Sequence, residues 1–175
     1  RIFFAAMASI TCKITVIIRA LPKICDLCTN FIMPARFYEQ EVKANLKDKR
    51  KLSAFLDTLV RKHLIKVKNS SLTYIFCNDE YLLNINQQFL NHDTFTDIVT
   101  FDLSDSNEVL VGEIYVSVDR IRENADKFNT SYNDELHRVI FHGALHLCGF
   151  KDKAKTDSET MRAMEDKCLK QYFKD

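Results

Sequence analysis

The sequence predicts an α+β fold: a mixed sheet of about four strands packed with helices. Three observations carry this. Strand-like runs rich in β-branched and aromatic residues are interspersed with stretches of helical period as far as residue 117, and only helical patterns follow. Three glycines and two prolines in 175 residues favour long helices and few tight hairpins. The length suits one domain with a proper core, and 46% hydrophobic with 28% charged residues is ordinary for a globular chain.

Residues 35–42 (ARFYEQEV) alternate weakly and read as a first strand. Over 47–65, Leu52, Phe55, Leu56, Leu59 and Val60 recur at helical spacing. Residues 71–77 (SLTYIFC) form a strand, and 78–90 a helix with Asn78 as N-cap. Residues 97–103 and 108–117 are strands joined by the turn SDSN, so they pair as a hairpin. Ser117 caps a helix over 118–128. A strong helix over 133–148 is stopped by Gly149. Thr156 and Glu159 make a capping-box pattern that opens a last helix to about Tyr172.

Residues 1–32 stand apart. They begin with Arg1 and hold Cys12, Cys25 and Cys28, three of the six cysteines. Their apolar runs, broken by Lys13 and Arg19, fall short of the ~18–20 residues of a membrane span. Ordinary patterning resumes after Met33-Pro34. We read Met33 as the natural start, 1–32 as a leader from upstream, and 33–175 as a single domain. Cys25-x-x-Cys28 without a second pair is weak evidence for zinc or redox chemistry. Cys77, Cys148 and Cys168 lie in apolar surroundings and read as buried thiols of a reducing cytoplasm.

The net charge is +1, and four cations against Asp26 in 1–32 leave −2 for the remainder. A nucleic-acid surface would therefore be a local patch rather than the overall field. The run KDKRK (47–51), with Arg61, Lys62, Lys66 and Lys68, offers such a patch, although charge runs usually form a solvated helix face.

The chemistry concentrates in FHGALHLCGFKDK, residues 141–153. His142 and His146 are one helical turn apart on the same face. That spacing suits two buried, hydrogen-bonded imidazoles, and it equally suits two ligands of one metal ion. Three features favour the metal. Gly149 can adopt a left-handed conformation and turn the chain back sharply. The returning segment then offers Asp152, a hard anionic ligand. The helix is otherwise apolar (Val139, Ile140, Phe141, Leu145, Leu147), a dry and rigid backing. Gly143 stands where an H-E-x-x-H peptidase carries its glutamate base, which argues against a metallopeptidase.

At these residues the chain resembles the YbeY family of bacterial endoribonucleases, or rRNA maturation factors. HGALHLCGFKD (142–152) is similar to the family's H-G-x-L-H-L-x-G-[YF]-D-H, TDIVTF (96–101) to its T-D-V-L-S-F strand, and VGEI (111–114) to its L-G-D-I strand start. The resemblance runs from about Met33 to the C-terminus. It implies a zinc-binding α+β fold, cleavage of single-stranded RNA, action on the 3′ end of small-subunit rRNA and in ribosome quality control, and a cytoplasmic setting without a membrane.

Two positions depart from the pattern. The third ligand of the family is a histidine, and Asp152 fills its place, so the ligand set expected here is His142, His146 and Asp152, with zinc or a harder divalent ion. Leu90 stands where the family usually has an arginine that contacts RNA phosphate. Positive charge would then come from His92 or from the lysines of 47–51. Glu113 and Asp97, each in a marker strand, are candidate outer-shell carboxylates, although strand-end residues more often cap or pair. A non-catalytic ribosome-binding protein with a structural zinc is the remaining alternative. An open metal position distinguishes catalysis from it.

Overall fold

The protein's computed structural model describes residues 34–174, so the expected leader 1–32 and its Cys25-x-x-Cys28 lie outside the described residues. In chain order the elements are β1 (Ala35–Glu39), α1 (Lys49–His63), β2 (Asn69–Cys77), α2 (Asp79–Leu90), β3 (Ile98–Asp102), β4 (Val109–Ser117), α3 (Val118–Lys127), α4 (Tyr132–Leu147) and α5 (Lys155–Lys174). The four strands form one mixed sheet in the order β1-β2-β4-β3. β1 and β4 flank β2 in parallel, and β3 runs antiparallel to β4, as the expected hairpin.

Strand alternation divides the core into two layers. Leu72, Tyr74 and Phe76 of β2 join Leu110, Ile114 and Val116 of β4 beneath α1, α4 and α5. The intervening residues Ile75, Cys77 and Tyr115, with Val99 and Phe101 of β3, face α2 through Leu82 and Ile85.

Helix α4 is buried along most of its length, because strands lie under it and helices flank it. Two local features seat it. A Cβ on Gly143 would lie 2.9 Å from Ile98 Cδ1 and 3.0 Å from Ile114 Cγ2, so the missing side chain allows the close approach of helix to sheet. The Tyr74 hydroxyl, fully buried, donates to the Ile140 carbonyl at 2.9 Å and ties the helix to β2.

The expected caps are present: Asn78 accepts from the Tyr81 N–H at 2.8 Å, and Ser117 from the Arg120 N–H at 3.1 Å. Several boundaries shift by a residue or two, and two of the differences have a local cause. The first strand ends at Glu39 rather than 42, because Glu41 takes a left-handed φ of 58° and the Ala44 N–H turns back onto Glu39 Oε1 at 3.0 Å. The last helix already begins at Lys155, so Thr156 sits within its first turn and does not cap it. Cys77 and Cys168 are buried and Cys148 partly so, all three as free thiols. Burial pushes their thiols up, to about 12 for Cys77 and Cys148 and about 11 for Cys168. Such groups are inert packing side chains.

The Tyr74 hydroxyl is the polar anchor of the histidine helix. Tyr74→Phe should cost about 1 kcal/mol, read as a fall of roughly 2–4 °C in the thermal midpoint. An unchanged midpoint would show that the bond contributes nothing to holding α4.

Candidate metal centre

The site is built from the C-terminal end of α4 outward. Ser131 caps the start of α4 by accepting from the Asp134 N–H at 3.0 Å, and the periodic apolar face then carries the helix to Leu147. At its end the Gly149 N–H donates to the His146 carbonyl at 2.9 Å and the Phe150 N–H to the Leu145 carbonyl at 3.1 Å, with Gly149 at φ 91°. This is a Schellman turn, which a residue without Cβ makes at least cost. It reverses the chain so that 150–152 pass back over the last helical turn.

Three ligand atoms converge there. His142 and His146 present their Nε2 atoms to each other at 2.8 Å. Asp152 Oδ2 lies 3.7 Å from the first and 3.6 Å from the second. All three lie within 4.8 Å of one another, and the group could hold a metal ion. Both imidazoles are buried.

The donor chemistry fits a cation. The Phe150 carbonyl can only accept, so His146 Nδ1, 2.9 Å away, carries the hydrogen. His142 Nδ1 lies 2.7 Å from Glu165 Oε1 and likewise donates, because the other oxygen of that carboxylate, Oε2, accepts from Arg138 at 3.2 Å. With Nδ1 the donor in both rings, the tautomer that binds a metal turns its Nε2 lone pairs inward, beside an Asp152 oxygen. Three electron-rich atoms facing one point call for positive charge between them. A histidine ligand whose second nitrogen is held by a carboxylate is the usual companion of a metal.

Glu165 was not singled out in the sequence, yet it belongs to the site. It is 1% exposed on α5, on the same face as Met161, Cys168 and Tyr172. A carboxylate at a core position of an amphipathic helix was the available signal. Arg138 also donates to Asp166 at 2.6 Å, so α5 is fastened to α4 through one half-buried guanidinium.

A cleft of about 440 Å³ opens beside the triad, with His142, Asp152, Asp97, Arg120 and Arg162 among its lining residues. Asp97 stands in that lining as the marker strand suggested, accepting from Asn124 Nδ2 at 3.3 Å. Glu113 is not brought to the triad. Strand parity turns it away from Gly112, whose missing Cβ faces Leu147 of α4, and towards Tyr115 and the α2 layer. Burial there raises its carboxyl above the usual range, against the opposing hydrogen bond with Tyr115. The lining cations are Arg120 and Arg162, and neither His92 nor the lysines of 47–51 take part. Gly143 faces the sheet, so the position where a zinc peptidase keeps its base offers nothing to the triad.

Fold and site together define a class: a small α+β protein whose buried helix presents two imidazoles, completed by a carboxylate on the returning turn. The chain belongs to the YbeY family, since the profile described as "Endoribonuclease YbeY" matches residues 37–173. It is 43% identical over 133 residues to a Cytophaga hutchinsonii protein named endoribonuclease YbeY, covering 76% of this chain and 92% of that one. A Flavobacterium johnsoniae protein of the same name is 48% identical over 120 residues, covering 68% of this chain and 86% of the relative. A solution structure from Thermotoga maritima aligns at a TM-score of 0.52 with 27% identity, over 79% of this chain and 89% of the other.

For an ion held by this triad, Glu165→Gln should weaken affinity by about 10–100-fold, because the acceptor that fixes the His142 tautomer loses its charge. Titration of the metal-stripped protein with zinc or manganese checks this. Affinity equal to the parent would remove Glu165 from the site.

Proposed function

We propose that this chain is a metal-dependent endoribonuclease that cuts single-stranded RNA, acting in the cytoplasm on the 3′ end of small-subunit rRNA and in ribosome quality control. The observation that carries this is the convergence of His142 Nε2, His146 Nε2 and Asp152 Oδ2 at the edge of an open cleft. Family membership supports the substrate class. Among the described residues no helix is long and apolar enough to cross a membrane, and three free thiols suit a reducing setting.

His142, His146 and Asp152 would hold a zinc ion, or a harder ion such as manganese, since one ligand is a carboxylate. A bound divalent ion supplies a Lewis acid for the phosphoryl oxygen and lowers the pKa of a coordinated water. The protein's own part is to hold the ligand atoms in place. Glu165 and the Phe150 carbonyl keep both imidazoles in the tautomer that faces inward. The buried helix wall excludes water from one side, and the cleft admits the phosphodiester from the other. An ion held by these three protein groups alone would keep a position for water or substrate, the arrangement of catalytic rather than structural sites.

Two experiments test this reading. Purified protein should cleave a defined single-stranded RNA, lose the activity to a chelator, regain it with added zinc or manganese, and lose it again as His142→Ala or His146→Ala. Undiminished cleavage by both variants would assign the activity to a contaminant. Asp152→His should retain the metal, whereas Asp152→Ala should bind it at least about tenfold more weakly. Parent-like affinity in Asp152→Ala would remove the carboxylate from the ligand set.

A further inference from the structure

The cleft carries a feature that metal binding does not use. Exposed large apolar side chains are few among the described residues, and two of them, Phe95 and Phe128, line this cleft. They are 55% and 53% exposed and come from separate elements, the loop before β3 and the residue that closes α3. Each ring has a cation over it: the Arg120 guanidinium 5.2 Å from the Phe95 centroid, and the Lys127 ammonium 5.6 Å from that of Phe128. Aromatic faces interleaved with cations are the recurring surface that receives single-stranded nucleic acid.

The two arginines of the cleft differ in how far their charge is already answered. Arg120 is held by Asp79 at 2.6 Å and by Glu123, so it serves chiefly to position Phe95. Arg162 has its nearest carboxylate oxygen, Glu165 Oε2, at 3.6 Å, beyond a hydrogen bond. That oxygen is already engaged by Arg138. Arg162 is half exposed and shares the cleft lining with His142 and Asp152. It is the cation with charge to spare for a ligand.

We propose that Phe95, Phe128 and Arg162 form a nucleotide-binding subsite, in which unpaired RNA bases stack on the two rings while a backbone phosphate meets Arg162. This rests on the ribonuclease reading and adds to it a physical origin for strand selectivity. A base in a duplex has both faces covered by its neighbours, so the rings gain nothing from it. An unpaired base offers a free face, and stacking tolerates any sequence. Leu90 then needs no replacement at its own position, because the phosphate is met from α5 instead.

The test is binding of a single-stranded oligoribonucleotide containing 2-aminopurine, measured in chelator so that no cleavage intervenes. The parent should quench the fluorophore. Phe95→Leu and Phe128→Leu should each bind about tenfold more weakly and lose part of the quenching. The same sequence as a duplex should compete at least about tenfold less well. Arg162→Gln should lower the slope of log affinity against log salt by about 0.7, one phosphate contact on a single strand. The substituted side chains are exposed, so thermal midpoints should stay at the parent's value. Parent-like binding and quenching in both leucine variants, equal competition by duplex, or no single-strand binding by the parent would overturn the subsite. An unchanged salt slope in Arg162→Gln would remove that residue from it. Quenching without metal-dependent cleavage would instead sink the ribonuclease reading alone, and cleavage with unchanged quenching the subsite alone.

Discussion

A carboxylate buried to 1% exposure is the constraint around which this protein is arranged. Glu165 is removed from water, and both of its oxygens have partners, Oε1 in His142 Nδ1 and Oε2 in Arg138. Removing Arg138 would take away the nearest countercharge, a penalty on the scale of ~3–5 kcal/mol for a broken buried pair, whereas removing His142 would leave Oε1 without this hydrogen bond. The network therefore does two things at once. It docks α5 on α4, and it engages the His142 Nδ1 through a side chain rather than through the backbone. His146 needs no such help, since the turn at Gly149 delivers the Phe150 carbonyl to its Nδ1.

The two histidines are thus oriented by different means, and the difference has a topological cause. His146 lies in the last turn of α4, where the returning chain is within reach, and a closure over a handful of residues costs little entropy. His142 lies one turn deeper. Its outer nitrogen faces α5, and its partner must come from 23 residues further along. The local half of the site is secured by a Schellman turn. The distant half depends on α5 being docked against α4.

How much of this could be read from the sequence follows the same division. The histidine pair, the stop at Gly149 and Asp152 lie within eleven consecutive residues, and helical period plus turn chemistry are enough to bring them together. The caps at Asn78 and Ser117 and the β3–β4 hairpin are equally local, and the structure has them. Glu165 escaped because its role depends on which face of α5 meets α4, which is a tertiary fact. Its position among Met161, Cys168 and Tyr172 was visible, but a single glutamate in a helix rich in charge reads as solvent-facing. The direction of Glu113 was open for the complementary reason. A strand places alternate residues on opposite faces, and nothing in VGEI states which parity faces the histidines. The parallel pairing of β1 with β2 was likewise beyond local signals. The lysines of 47–51 open α1, while the site sits among the loop before β3, α3 and the start of α5, so charge density in sequence was no guide to charge at the cleft.

The walls of the cleft differ in kind, and the difference follows from where stability comes from. On the triad side the residues are buried, cross-linked by charge and shielded from water, so their geometry is set before any ligand arrives. Opposite, Phe95 and Phe128 each leave more than half of their surface in water. Burying such a ring contributes roughly 1.5–3 kcal/mol, so leaving two of them more than half exposed forgoes part of that stabilisation. Arg120 over Phe95 and Lys127 over Phe128 limit the loss and hold the rings without covering them. On the proposed reading, the polar residues of the cleft would fix where bond cleavage occurs, and the aromatic ones would admit a strand whose bases are free to stack. In the proposed subsite, selectivity for unpaired RNA would need no base-specific hydrogen bond, because it would arise from the one property that unpaired bases share, an uncovered face.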